Sequence, residues 1–151
     1  MAVAAAKPIE LRISRVFAHA PADVFRALSV AEELAKWMGP PGFSVTECRM
    51  GTKPGDPWRI TMRSPENTFH TVSGVLQEIT PPTRLAFTWQ WNGPGEEAHA
   101  SLMLVTIALK AEGKGTRMDF LQTGFATENS RDMHNQGWSG SFDKLEAWRP
   151  A

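Results

Sequence analysis

Tyrosine is absent from the 151 residues, cysteine occurs once, and neither sign of charge is in excess, with 16 Lys and Arg against 16 Asp and Glu. The lone Cys48 excludes an internal disulfide and any cysteine-rich metal site. Balanced charge argues against a nucleic-acid partner, which calls for a basic face. No apolar run approaches the roughly 20 residues that cross a bilayer, so membrane insertion is not expected. Met1 to Lys7 is small and apolar but lacks the basic start and long hydrophobic centre of a signal peptide, which points to a cytoplasmic protein. What remains is ordinary for a soluble globular chain: 42% hydrophobic and 21% charged residues. At this length one hydrophobic core is expected. Residues 1–8 read as a disordered leader ending at Pro8, and 9–151 as a single domain.

From Ile9 to Phe17 the chain alternates as a strand, with Ile9, Leu11 and Ile13 on one side. Two short helices are expected next. The first carries Pro21 at its start and Asp23 near the positive end of the dipole, and buries Val24, Phe25 and Leu28. The second opens on Ser29-x-x-Glu32, a capping-box pattern, and buries Leu34 and Trp37 before Gly39-Pro40-Pro41-Gly42 ends it. Beyond Gly42 the texture changes to short alternating segments: 43–50, 57–63, 68–79, 84–91, 99–110 and 115–124. Turn chemistry separates them, as at Lys53-Pro-Gly-Asp-Pro57, Asn92-Gly-Pro-Gly95 and Glu112-Gly-Lys-Gly115, which is the signature of hairpins in an antiparallel sheet. Parity then sends one set inward: Trp58, Ile60 and Met62; Leu85, Phe87, Trp89 and Trp91; Met103, Val105, Ile107 and Leu109; Met118, Phe120 and Gln122. Arg59, Arg63 and Arg117 fall on the outer side.

The last segment, Glu128 to Trp148, reads as an amphipathic helix with Thr127 as its N-cap. Ser130, His134, Gly137, Trp138, Ser141, Phe142, Leu145 and Trp148 share an arc of about 140° at 100° per residue. The stripe starts small and polar and ends aromatic, and only the sheet offers it a partner. Gly137 is a costly residue inside a helix, so a close approach to the sheet is expected there.

Chemistry-bearing motifs are few. His19, His70, His99 and His134 lie on separate elements with no metal-ligand spacing, so neither a metal nor another cofactor is expected. Gly137-Trp-Ser-Gly-Ser141 fails as a nucleophile elbow because the second glycine comes one residue early, in mid-helix. Gly113-Lys-Gly115 is a hairpin turn rather than a phosphate loop. More informative is the count of six tryptophans and eight phenylalanines. Trp58, Trp89, Trp91 and Trp138 point between sheet and helix, with Met62, Met103 and Phe120 beside them. They read either as an ordinary core or as the walls of a cavity for an apolar or aromatic small molecule, with Gln122 and His134 as its polar groups. If they do not meet a ligand, His134 and Gln122 are expected to bond each other, a backbone carbonyl or a buried water. Trp37, Met38 and Phe43, around the Pro/Gly turn, suit a lid over such a cavity, a homodimer contact, or a packed corner.

Phe17, Val24-Phe25-x-Ala27-Leu28 and Glu33-Leu34-Ala-Lys-Trp37-Met-Gly39-Pro40 resemble the opening of the activator-of-heat-shock-ATPase homologue family, in the START-like (SRPBCC) superfamily. The similarity continues through Glu78-Ile79-x-Pro81-Pro82-x-Arg84-Leu85-x-Phe87-Thr88-Trp89 and Gly115-Thr116-Arg117-Met118. It closes on Gly124-Phe125 and His134-x-x-Gly137-Trp138-x-x-x-Phe142-x-x-Leu145. The chain departs from the family at Val30-Ala31 and at Asp56-Pro57. The resemblance implies an α+β helix-grip fold, a seven-stranded antiparallel sheet wrapped around a long C-terminal helix, with two short helices after the first strand. It also implies three kinds of activity: binding a small apolar molecule, an enzyme using the same cavity, or a co-chaperone-like interaction with a chaperone partner; for the enzyme, His134 is the one inward residue suited to act as acid or base.

Overall fold

Hairpin after hairpin, the middle of the chain builds a single sheet. The computed structural model describes residues 8–93, 95, 96 and 99–149. The expected leader falls almost wholly outside them, and Pro8 is exposed. The order is β1 (Glu10–Phe17), α1 (Pro21–Ser29), α2 (Ala31–Trp37), β2 (Ser44–Met50), β3 (Pro57–Arg63), β4 (Phe69–Thr80), β5 (Arg84–Asn92), β6 (Met103–Glu112), β7 (Gly115–Thr123) and α3 (Glu128–Ala147). The seven strands form one sheet in the order β1-β7-β6-β5-β4-β3-β2, and every neighbouring pair is antiparallel. The chain therefore adopts the expected α+β helix-grip architecture, with three helices among the described residues.

Local chemistry sets the turns and the bends. Between β2 and β3, the Asp56 carboxylate accepts the backbone N–H groups of Thr52 and Lys53 at 2.9 and 3.2 Å, and Gly55 takes φ +93°, open to glycine at little steric cost. Register shifts at Val45/Glu47 and Leu76/Glu78 mark bulges that bend strands. At Gly74 a β-carbon would lie 1.9 Å from the Thr88 carbonyl oxygen. Its absence lets the Trp58 indole cross the strand and donate to that same oxygen at 3.0 Å.

The parity reading holds: Trp58, Ile60, Met62, Leu85, Phe87, Trp89, Met103, Val105, Ile107, Leu109, Met118 and Phe120 are all buried. Against them lies the α3 stripe, with the Trp138 ring 4.8 Å from Phe120 and Phe142 5.7 Å from Phe120, centroid to centroid. The Thr127 hydroxyl caps α3 by accepting the Ser130 N–H at 3.0 Å.

Two local expectations fail. Ser29 is the last residue of α1 and donates to the Phe25 carbonyl at 2.7 Å, leaving Val30 to precede α2 without a side-chain cap. A hydroxyl within reach of a carbonyl one turn back bonds there instead of to the next helix. The sixth strand begins at Met103, not at 99, because His99 belongs to the connection after β5.

Candidate functional site

Where the polar start of α3 faces β5, sheet and helix fail to close, leaving a cavity of about 300 Å³. Its walls are Trp89 and Trp91 from β5, Trp138 from α3 and Met62 from β3, and the segment Met38–Phe43 covers one side. The aromatic walls brace one another, one pair edge to face and one tilted. Trp89 and Trp91 have centroids 5.7 Å apart at 88°, and Trp89 lies 4.8 Å from Trp138. Such pairs fix ring orientation beyond what burial alone does.

The covering segment is pinned to the helix. The Gly39 N–H donates to the Ser141 hydroxyl at 3.1 Å, which itself donates to the Gly137 carbonyl at 2.8 Å. Lys144 donates to the Pro40 carbonyl at 3.4 Å. Gly137 borders the cavity, and an added β-carbon there would meet only Pro40 Cγ, at 3.7 Å. The close approach expected at Gly137 lies instead at Gly140, where the β-carbon would stand 2.6 Å from Pro41 Cδ. The neighbour is the loop, not the sheet.

His134 is 9% exposed, and both its ring nitrogens are engaged. The Trp91 indole N–H donates to Nε2 at 2.9 Å, and Nδ1 lies 2.7 Å from the Ser130 carbonyl. An indole only donates, so Nε2 must keep its lone pair and Nδ1 carries the proton. Burial holds the pKa of this imidazole below the ordinary range, and the neighbouring His99 adds to the effect. In this arrangement the ring has no lone pair to offer a substrate proton; its work is to hold Trp91. Gln122 does not partner it. The Gln122 amide oxygen accepts the Trp138 indole N–H at 2.8 Å, and its nitrogen faces Met103 Sδ at 3.2 Å.

Of the residues singled out from sequence, the cavity brings together Met62, Trp89, Trp91, His134, Trp138, Met38 and Phe43. Trp58, Met103, Phe120 and Gln122 are buried but stand off its wall, in the packed core. Parity gives the side a residue faces, not its position along the groove. Trp37 is likewise no lid: it is 1% exposed and its indole donates to the Ala27 carbonyl at 3.0 Å.

Missed from sequence are His70, Glu96 and His99, which supply most of the polar lining. His70 Nδ1 makes a short contact with the Glu96 carboxylate, and His70 Nε2 lies 3.0 Å from the Thr68 hydroxyl. His99 Nδ1 lies 2.7 Å from the Ser130 hydroxyl. The available signal was the long Gly- and Pro-bearing connection between β5 and β6, since loops on a rigid scaffold are where binding groups concentrate. Among the described residues no group of three or more His, Cys, Asp or Glu is placed to hold a metal ion. Cys48 lies elsewhere, and burial pushes its thiol up to about 11, so it is no thiolate at neutral pH. No helix of the described residues is long and apolar enough to cross a membrane.

Comparison with known proteins agrees with this architecture. A family model described as activator of Hsp90 ATPase homolog 1-like protein matches residues 18–148. A crystal structure from Chromobacterium violaceum is 24% identical with TM-score 0.84, covering 94% of this chain and 98% of that one. A protein of the same family description from Silicibacter pomeroyi is 27% identical with TM-score 0.82, over 92% and 96% of the two chains. One from Nitrosomonas europaea, also 27% identical, has TM-score 0.76 over 91% and 92%. Among curated proteins none matches.

Proposed function

The chain belongs to the activator of Hsp90 ATPase homolog 1-like family, and from that footing we propose that it binds a small apolar or aromatic molecule in the cavity between sheet and C-terminal helix. The observation that carries this reading is the open volume itself. Ligand sites are concave and walled mainly by apolar and aromatic side chains with a few placed polar groups. Here about 300 Å³ stays open beside Trp89, Trp91 and Trp138, at the compact end of the roughly 300–1,000 Å³ typical of ligand sites. The neutral, doubly bonded His134 fixes one wall and performs no proton transfer in this reading.

Native mass spectrometry of gently purified protein tests the proposal together with tryptophan emission during titration with a broad apolar panel. Saturable quenching or a shifted emission maximum, or a copurified small molecule, supports it. Indifference to the whole panel with no copurified mass refutes it.

A further inference from the structure

An apolar cavity discriminates among ligands by the few charged groups on its wall. Glu96 is 8% exposed and is, among the described lining residues, the one carboxylate; no described Lys or Arg lines the cavity. The other titratable lining groups are His70, His99 and His134. His134 is neutral, for the reason given above. His70 faces Glu96 through Nδ1 and the Thr68 hydroxyl through Nε2, so as a neutral ring it donates one N–H to the carboxylate and accepts from the hydroxyl, leaving the negative charge on Glu96. His99 contacts the Ser130 hydroxyl and stacks edge-on to His134, centroids 5.5 Å apart. One further source of positive potential is the N-terminus of α3. Its free N–H groups belong to the first turn, one of them satisfied by Thr127, and the dipole's effect fades within that turn. The helix residues lining the cavity begin beyond it, at Met133.

Wherever the indole rings of the remaining walls present a face, they suit a cation better than an anion, since an aromatic ring carries negative charge on its face and positive charge at its edge. Building on the binding reading above, we propose that the cavity selects apolar amines, an aromatic or compact alkyl body carrying one protonated nitrogen, with Glu96 as the counter-charge and Trp89, Trp91 and Trp138 around the body. Matching carboxylates are rejected, because a second anion beside a buried carboxylate meets like-charge repulsion and no described Lys or Arg on the wall relieves it.

Three isosteric probes test this by calorimetric titration: 1-naphthylmethylamine, 1-naphthylmethanol and 1-naphthoic acid. The amine should bind about tenfold or more tightly than the acid, with the alcohol between them. Glu96→Gln should reduce the amine-to-acid affinity ratio about tenfold. A carboxylate that binds as tightly as the amine overturns the selectivity while leaving the cavity reading in place. An amine preference that survives Glu96→Gln overturns the role given to Glu96. If none of the probes binds, and none of the broad apolar panel either, the binding reading itself has failed and the selectivity falls with it. Should the variant not fold, the ranking of the three probes on the unaltered protein decides.

Discussion

Replacing His134 by Leu removes the acceptor of the Trp91 indole N–H and the proton donated to the Ser130 carbonyl. A buried donor left without a partner costs about 1–3 kcal/mol. The new leucine recovers part of this by apolar burial, so a net loss of about 1–2 kcal/mol is expected near pH 8. The loss should depend on pH, and its sign follows from linkage. Burial sets the folded pKa of His134 below the unfolded value of 6.5. Between those two values the unfolded chain holds the extra proton, so the contribution is complete above pH 6.5 and is lost progressively as pH falls below it. The slope cannot exceed about 1.4 kcal/mol per pH unit for one group. Near pH 5.5 the unaltered protein has therefore given up as much as about 1.4 kcal/mol that His134→Leu never had, and the deficit of the variant narrows by that amount. Glu33 and Asp119 do not interfere, because their carboxyls are held below the ordinary values of 4.5 and 3.8 and titrate at more acid pH. Urea unfolding followed by far-ultraviolet circular dichroism at the two pH values measures both deficits. A deficit that is the same at both, or larger in acid, refutes the neutral, doubly bonded imidazole.

Paired glycine substitutions separate the two helix positions. Gly137→Ala should raise the melting temperature, gaining up to about 1 kcal/mol of helix propensity with no clash, whereas Gly140→Ala drives a β-carbon into the Pro41 ring and should lower it; equal effects would show that the loop does not press on Gly140. Glu33 is buried, accepts from Lys36 at 3.0 Å and from the Trp148 indole at 2.8 Å, and these partners, the lysine first, hold its carboxyl below the usual range. Its stabilisation is present above the unfolded pKa and lost as pH falls through the folded one, so Glu33→Gln should destabilise at neutral pH and flatten the acid limb of the stability profile, read by thermal melts across that limb. Prolonged treatment with a chelator should leave the melting temperature unchanged, and a fall of several degrees accompanied by metal in the purified protein would contradict the geometry at the histidines.

Much of the fold was legible because its signals are periodic. Alternation in β3, β5, β6 and β7 named the inward side chains, and the 100° arc in α3 named the buried stripe, including a histidine that any composition argument would place outside. Both periods come from backbone geometry and survive tertiary context. The Ser29-x-x-Glu32 pattern misled for the opposite reason: a cap is a choice between nearby backbone groups, and Ser29 ends α1, where its hydroxyl bonds the Phe25 carbonyl. The start of β6 misled too, since a half-buried histidine in the preceding connection continues the alternation by chance.

The cavity obeys neither period. A void is what remains after bulky side chains have met, so it is read from where they do not meet. Along α3 the bulky half, Phe142, Leu145 and Trp148, finds Phe17, Trp37 and His19 to pack on, and closes. The other half presents Ser130, His134 and Gly137 opposite Trp89 and Trp91, whose rings are braced by each other and by His134 rather than by the helix backbone. A glycine placed there for space rather than for close contact leaves the gap unfilled. The polar groups of the cavity then come from Glu96 and His99 in the connection after β5 and from His70 on β4, with no spacing in the sequence that relates them.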